Sequence, residues 1–260
     1  MRALSNICDF AVAFPLQPFS GLRLAASGLT HVSMNGINRW LGVFVLAIGS
    51  LVTASATETF ADRLAALQSR LQADPTNTLI LFQLGDLCHD KGANNDEKAV
   101  ILAEGYFKRL LAIDPNQAMA RVLYGSVLTM KARDALWPTT RLSYVKAGNR
   151  EMDAAVKTAP KDAQVRFARA VNNFHMPDIM GREEIVQEDL AWLWQQAQLA
   201  DAKLNVGQKQ TVALYYGLTL QKKNKLDEAL QIWRVGLDLA PKSEDAAPLK
   251  KQLQKHKPRA

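Results

Sequence analysis

The sequence predicts an all-α protein, an α-solenoid of about four stacked helix pairs with capping helices. The first observation is a short motif that ends an apolar helical pattern four times: LQADP, LAIDP, VKTAP and LDLAP, with prolines at Pro75, Pro115, Pro160 and Pro241. A proline cannot continue a helix, so each motif marks a boundary. The second is the spacing of 40, 45 and 81 residues, the last of which fits two units of about 40. Such units bury their apolar faces only by stacking.

Small residues at a fixed offset are the third observation. Gly85 and Gly125 each stand ten residues after a motif proline, and Ala170 stands ten residues after Pro160. A small side chain allows a neighbouring helix to approach closely. The offset therefore predicts a helix crossing at the same place in each unit.

The last unit, TVALYYGLTLQKKNKLDEALQIWRVGLDLAP, identifies the kind of repeat. It resembles the tetratricopeptide repeat (TPR), a two-helix unit of about 34 residues. The residues that carry the resemblance are Tyr216-Gly217, Leu220, Asn224, Ala229, Trp233, Gly236 and Pro241. The first two units repeat the pattern with Leu84-Gly85, Ala103, Phe107 and Pro115, and with Tyr124-Gly125, Met152, Ala155 and Pro160.

The third unit departs from this pattern. Arg166 and Arg169 stand where the family prefers buried residues, and no proline closes the unit. Its second helix is predicted within VQEDLAWLWQQAQLA, with Leu190, Leu193 and Ala197 turned inward.

The resemblance covers residues 60–241 and implies a right-handed, curved stack. An initial helix at about residues 58–73 leads into four helix pairs within a repeat domain 57–243. Residues 244–260 are expected to form the polar capping helix that an open stack needs, followed by a basic tail. In this family the first helix of each pair lines the concave face, which holds peptides or protein segments.

Residues 34–56 have the features of a secretory signal peptide. Arg39 precedes an apolar run at residues 40–52, and Ala54-Ser55-Ala56 has the small-x-small form of a cleavage site. The run of about 13 residues is short for a bilayer, which needs roughly 20. We therefore expect an exported bacterial protein, periplasmic or secreted, that is cleaved after Ala56. An uncleaved membrane anchor is the alternative, and only then would a membrane be a partner.

The segment before Met34 is interpreted as an unstructured extension. Residues 1–33 precede a complete signal peptide, which indicates a start codon assigned too early. A genuine long leader or an organelle transit segment is the alternative.

Charge and cysteine content limit the partners. The chain has 32 Lys and Arg residues and 25 Asp and Glu residues. Residues 1–56 hold three of the basic residues and one of the acidic residues, so the rest of the chain has a net charge of +5. The one dense basic block, 249–260, fits a solvated terminal helix at least as well as a nucleic-acid site, so no nucleic-acid partner is predicted. Without Cys8 of the leader, Cys88 has no partner for an intrachain disulfide and is expected to be a buried, inert thiol.

Three units exceed the family length, and the excess is predicted between the two helices of a pair. These insertions are GANNDEKAV (92–100), KARDALWPTTRLSYVKAG (131–148) and MPDIMGREE (176–184). Turns of this kind stack along one edge of a solenoid, so the insertions predict a binding side there. The residues assigned to this edge are Trp137, Met176, Met180 and Arg182. Trp137 has two interpretations, a structural pin for its loop or an exposed anchor for a partner.

The third insertion belongs to the stretch NNFHMPDIMGREE (172–184), which brings His175 close to Met176 and Met180. Pro177 ends one helix, and Gly181 permits the turn before the next. The stretch is therefore predicted to be a helix-connecting corner, with the two methionines packed on the stack. A partner-contact loop and a metal site are the alternatives.

The register of the repeats assigns side chains to a concave groove. The groove candidates are Phe82, Gln83, Asp86, His89, Asp90, Met119, Val122, Ser126, Met130, Phe167, Val171, Phe174, His175, Tyr215, Leu218 and Lys222. Asp86, His89 and Asp90 share one helix face at i, i+3 and i+4. They are interpreted as solvated groove residues, and a divalent-cation site is the weaker alternative.

No signature of a known enzyme class is found, including His-Glu-x-x-His, a phosphate-binding loop, Gly-x-Ser-x-Gly or a zinc-binding cysteine pair. The sequence therefore predicts a non-catalytic scaffold, without a cofactor, that binds a protein or peptide in the groove and along the loop edge. An exported small-molecule or metal-binding helical protein, using Asp86, His89, Asp90 and His175, is the second hypothesis. A helical enzyme of unfamiliar type is the third.

Overall fold

The computed structural model describes residues 58–256, and in this range the chain forms ten α-helices, one short 3₁₀ helix and no strand. The helices are α1 (Phe60–Ala73), α2 (Thr78–Ala93), α3 (Glu97–Ile113), α4 (Ala118–Asp134), α5 (Pro138–Thr158), α6 (Ala163–Phe174), α7 (Glu183–Ala197), α8 (Val206–Lys222), α9 (Leu226–Leu239) and α10 (Ala246–Lys255). The predicted extension 1–33, the predicted signal peptide 34–56 and the tail residues 257–260 lie outside the described residues.

The helices begin where polar side chains cap them. Asn77, Asp96, Gln117 and Asp162 each stand directly before a helix, and each side-chain oxygen accepts a hydrogen bond from a backbone N–H of the first turn. Such caps satisfy donors that the helix itself leaves unpaired. Because three of these caps follow a motif proline by only two residues, one helix ends and the next begins within a tight turn.

The helices pack as four pairs, α2–α3, α4–α5, α6–α7 and α8–α9. Each first helix also contacts the next first helix, from α2 through α4, α6 and α8 to α10, whereas the second helices α3, α5, α7 and α9 show no comparable contact with one another in the described chain. The more closely spaced layer lies on the inside of a curved stack, so the first helices form the concave layer. The predicted α-solenoid is confirmed.

The small residues of the repeat mark the helix crossings. A Cβ placed on Gly85 would lie 2.6 Å from the Phe107 ring, and one on Gly125 would lie 2.7 Å from the carbonyl oxygen of Gly148. At Gly217 an added Cβ would overlap the indole ring of Trp233. The first helix can approach the second this closely only because it carries no side chain there.

The structure contradicts two of the three predicted insertions. Helix α2 continues to Ala93 and α3 begins at Glu97, so the first pair is joined by only three residues. Asn95 makes this tight turn with a positive φ of 65°. In the second pair the extra residues lengthen α4 and α5 and leave only residues 135–137 between them. Pro138 occupies the first turn of α5, where a helix tolerates proline.

The turns define two edges of the stack. The turns within pairs, at residues 94–96, 135–137, 175–182 and 223–225, form what we call the pair-turn edge. The turns between pairs, at 74–77, 114–117, 159–162, 198–205 and 240–245, form the inter-pair edge. From residue 58 to residue 256, no helix has the length and apolar character needed to cross a membrane.

A largely buried ion-pair network connects α5, α6 and α7. Asp189 of α7 has no exposed surface and accepts hydrogen bonds from Arg166, at 2.7 Å, and from Arg169, at 2.7 and 2.9 Å. Arg169 also contacts Asp153 of α5 at 3.1 Å, and Arg182 binds Asp153 with two hydrogen bonds of 2.9 and 2.6 Å. Of the two arginines that depart from the repeat pattern, Arg169 is buried and Arg166 is half-buried, and each has a carboxylate partner.

Candidate functional site

The concave surface begins with a stripe of accessible side chains on α2. Gln83, Asp86 and Asp90 are half-buried, and Leu79, four residues before Gln83, is 55% exposed. Their spacing of four, three and four residues places all four on one face of the helix. Leu79 was not among the predicted groove residues, although its spacing from Gln83 and Asp86 could have identified it. Phe82 instead packs on the core, edge-to-face with Phe107 at a centroid distance of 6.2 Å.

Helix α4 contributes less to the concave surface than the sequence predicted. Val122, Ser126 and Met130 are buried, with exposures of 0%, 4% and 1%, because α2 and α6 pack against α4 from both sides. These three residues belong to helix contacts rather than to an open groove, which corrects their assignment. Met119 alone of the four candidates on α4 is half-buried.

A buried network of polar side chains connects the first three helices of the concave layer by hydrogen bonds. The His89 Nε2 and Ser126 Oγ atoms lie 3.0 Å apart, and Asn172 Nδ2 of α6 donates to the same Ser126 oxygen at 2.9 Å. Thr129 Oγ1 donates to Asn172 Oδ1 at 3.2 Å. His89 is therefore a buried link between α2 and α4, and its predicted place in the groove is corrected.

An aromatic cluster joins α6 and α8. The Phe174 and Tyr215 rings stack at 4.1 Å with an interplanar angle of 7°, and the His175 Nε2 atom lies 3.0 Å from the Tyr215 hydroxyl. Burial lowers the pKa of His175 and raises the pKa of Tyr215 to about 12. Phe167 and Tyr215 are buried and pack in the core, so their predicted exposure in the groove is corrected.

The remaining candidates on α6 and α8 keep accessible surface. Val171, Phe174 and Leu218 are half-buried and pack against the second apolar cluster. Lys222, at the end of α8, is exposed, and its amine lies 3.6 Å from the Asp178 carboxylate. The concave layer thus carries acidic residues on α2, apolar residues on α6 and α8, and a lysine at the end of α8.

The carboxyl group of Asp86 is in an unfavourable environment for its charge. Its pKa is raised to about 6, first by burial and then by repulsion from Asp90, while His89 and Arg63 act in the opposite direction. A carboxyl group whose pKa is raised by its surroundings is a common feature of functional sites. A nearby cationic group would offset the second cause, the repulsion from Asp90.

The structure does not assemble the metal site that the sequence left open. His89 Nε2 is engaged with Ser126, and within residues 58–256 no group of three His, Cys, Asp or Glu side chains is arranged to hold a metal ion. Cys88 has no exposed surface, and burial raises the pKa of its thiol to about 12.

The stretch at residues 172–184 forms a corner between α6 and α7. It contains a 3₁₀ helix, Asp178–Met180, followed by Gly181 in the left-handed region with φ of 61°. Met176 is buried in the first apolar cluster and Met180 packs against it. Arg182 is buried by its two bonds to Asp153. Met176 and Arg182 are therefore structural, and their assignment to a contact edge is corrected.

The pair-turn edge does carry exposed apolar residues, but mostly at positions other than the predicted ones. Trp137 is 72% exposed, and its neighbour Leu136 is 87% exposed. In the next turn along the stack Ile179 is 61% exposed. Of the four predicted edge residues Trp137 is the one with a fully accessible side chain, whereas Leu136 and Ile179 were missed because loop residues carry no periodic pattern.

The comparisons with known proteins agree with this geometry. No family model matches the chain, and no curated protein does. Among solved structures, the chain is similar to the crystal structure of a thermophilic TPR protein from Thermus thermophilus. The match has a TM-score of 0.56 and 17% identity, and it covers 75% of this chain and 91% of that chain. This chain therefore has a TPR-like helical repeat fold.

Proposed function

We propose that the chain is a non-catalytic scaffold that binds a protein or peptide segment on its concave face. The observation that carries the proposal is the stripe on α2, where Leu79, Gln83, Asp86 and Asp90 share one accessible helix face of the concave layer. Binding surfaces of this kind combine apolar contacts with a few polar groups that fix orientation.

The charges along this face favour a particular orientation of the bound segment. Asp86 and Asp90 favour a basic side chain over α2, because its charge would offset the repulsion between the two carboxylates. Lys222 favours an acidic or carboxy-terminal group at the other end of the layer. Val171, Phe174 and Leu218 supply apolar surface between these ends.

The proposed setting of this activity is the bacterial envelope. The signal-peptide features of residues 34–56 support export to the periplasm, or secretion, with cleavage after Ala56. The pair-turn edge is a second accessible surface, on which Trp137 is the predicted contact residue that remains exposed.

A triple substitution on the concave face tests the proposal. The variant Leu79→Ser, Asp86→Asn, Lys222→Glu removes one apolar and two charged contacts without disturbing the core. The matched control on the second-helix layer is Val235→Ser, Asp238→Asn, Arg234→Glu, three exposed residues of α9. Proteins that co-purify with each chain from the native envelope are compared by quantitative mass spectrometry.

The expected result is that the concave variant loses a specific set of co-purifying proteins that the control retains, while both keep wild-type helicity by circular dichroism. Identical sets for the wild type and the concave variant would refute binding on this face.

A further inference from the structure

The pair-turn edge carries apolar side chains that no part of the described fold uses. Leu136, Trp137 and Ile179 are each more than 60% exposed and lie in consecutive turns. A hydrogen bond of 3.3 Å from Arg133 to the carbonyl oxygen of Gly92 connects the end of α4 to the end of α2 beside these turns. Exposed apolar residues grouped on one side of a folded stack indicate an interaction surface.

The amino-terminal end of α1 lies on this same edge. Helix α1 joins α2 through a short turn on the inter-pair edge, so the beginning of α1 lies at the opposite side, on the pair-turn edge. The Lys91 amine, in the last turn of α2, lies 5.7 Å from the centroid of the Phe60 ring in the first turn of α1. The chain therefore enters the described fold at the pair-turn edge.

The sequence before α1 limits how far this edge can be from a membrane. The apolar run at residues 40–52 ends six residues before residue 58. Six residues span at most about 20 Å even when fully extended. While the apolar run is in a bilayer, as a signal peptide before cleavage or as a retained anchor, the pair-turn edge must lie close to the surface of that bilayer.

We propose that, in the uncleaved chain, the pair-turn edge docks on a lipid surface, with Leu136, Trp137 and Ile179 inserted into its interfacial region. Tryptophan is suited to this zone, because its ring is apolar and its N–H remains polar. At the inter-pair edge, Leu199 and the neighbouring helix-end residues Ile113 and Leu239 are each less than half exposed, and none of the three is aromatic. The inference does not depend on the concave site.

The charges around the pair-turn edge are of both signs, so the proposed contact with lipid depends on the apolar side chains and not on electrostatic attraction. The exposed charged residues near these turns are of both signs: Lys91, Lys98, Lys222, Lys223 and Lys225, and Glu97, Asp178, Glu183, Glu184, Asp227 and Glu228. This mixed set gives no net attraction to anionic lipid. Docking is therefore expected on neutral phosphatidylcholine vesicles as well as on anionic ones, with little dependence on salt.

The test uses the full chain with neutral phosphatidylcholine vesicles. The edge variant is Leu136→Ser, Trp137→Ser, Ile179→Ser, and the matched control on the opposite edge is Ile113→Ser, Leu199→Ser, Leu239→Ser. Loss of three inserted side chains is expected to lower the vesicle-bound to free ratio about tenfold or more in flotation, whereas the control should stay within about twofold of wild type.

The apolar run at residues 40–52 could by itself hold all variants on the vesicles, and flotation would then not distinguish them. A second measurement decides that case. Vesicles that contain brominated lipid should quench the fluorescence of the wild type more than that of Trp137→Phe, because only Trp137 reaches the bilayer from this edge. The proposal is overturned if flotation is equal for both triple variants and the two quenching curves coincide.

Cross-linking of Trp137 to a protein without quenching by lipid would also overturn it, in favour of a protein partner at the edge. The double variant Leu79→Ser, Asp86→Asn, which leaves the residues of the edge unchanged, should still bind vesicles, so the two proposals fail independently.

Discussion

At the scale of single residues, Asp189 shows how the third unit tolerates two arginines in the core. Its carboxylate lies between Arg166 and Arg169, so the half-buried and the buried guanidinium group each have a partner of opposite sign at hydrogen-bond distance. The repeat pattern identified these arginines as irregular but could not show that α7 supplies the compensating charge. Similarly, the periodicity could not show how closely the first helices approach one another, which is why Val122 and Met130 are buried.

Removal of the Asp189 carboxylate should strongly destabilise the fold. We expect Asp189→Ala to lower the free energy of unfolding by about 3–5 kcal/mol, because the buried guanidinium group of Arg169 and the half-buried one of Arg166 lose a shared partner. Glu188→Ala is the matched control: Glu188 also contacts Arg166, at 3.3 Å, but its side chain is 67% exposed. Loss of that surface contact should cost less than about 1 kcal/mol. Urea unfolding measures both, and equal losses would show that the buried network does not stabilise the stack.

At the scale of helices, the sequence predicted the pairs and their crossing points well. The proline motifs and the small residues ten positions later identify where helices end and where they cross, because both are local steric requirements. The lengths of the paired helices were not predictable in this way. The extra residues of the second unit extend α4 and α5, and Pro138 looked like a loop residue although it is equally suited to the first turn of a helix.

The crossing glycines provide a prediction at this scale. Gly125→Ala should destabilise the chain by about 1–3 kcal/mol, because the new methyl group would meet the Gly148 carbonyl oxygen, which is backbone and cannot move aside easily. Gly105→Ala, in α3, is the control, since a Cβ there meets nothing within 4 Å. It should stabilise the chain by about 0.5–1 kcal/mol through helix propensity. Thermal unfolding that moves in the same direction for both variants would contradict the close crossing.

At the scale of the whole molecule, the stack presents one curved layer of first helices and two edges. Three apolar clusters follow one another along the chain, as expected when each pair packs mainly on its neighbours. This arrangement leaves two accessible surfaces with different chemistry. The concave face mixes acidic, apolar and basic side chains, whereas the pair-turn edge exposes Leu136, Trp137 and Ile179.

The central claim, that partners bind on the concave layer, is tested most directly by site-specific photocross-linking in the living cell. A benzophenone amino acid is placed at Leu79, Met119 or Val171 on the first helices, and at Ile101 or Val235 on the second helices. We predict discrete cross-linked products of the same mass from the three concave positions and none from the two convex positions. Products only from Ile101 and Val235, or equally from all five positions, would contradict the account.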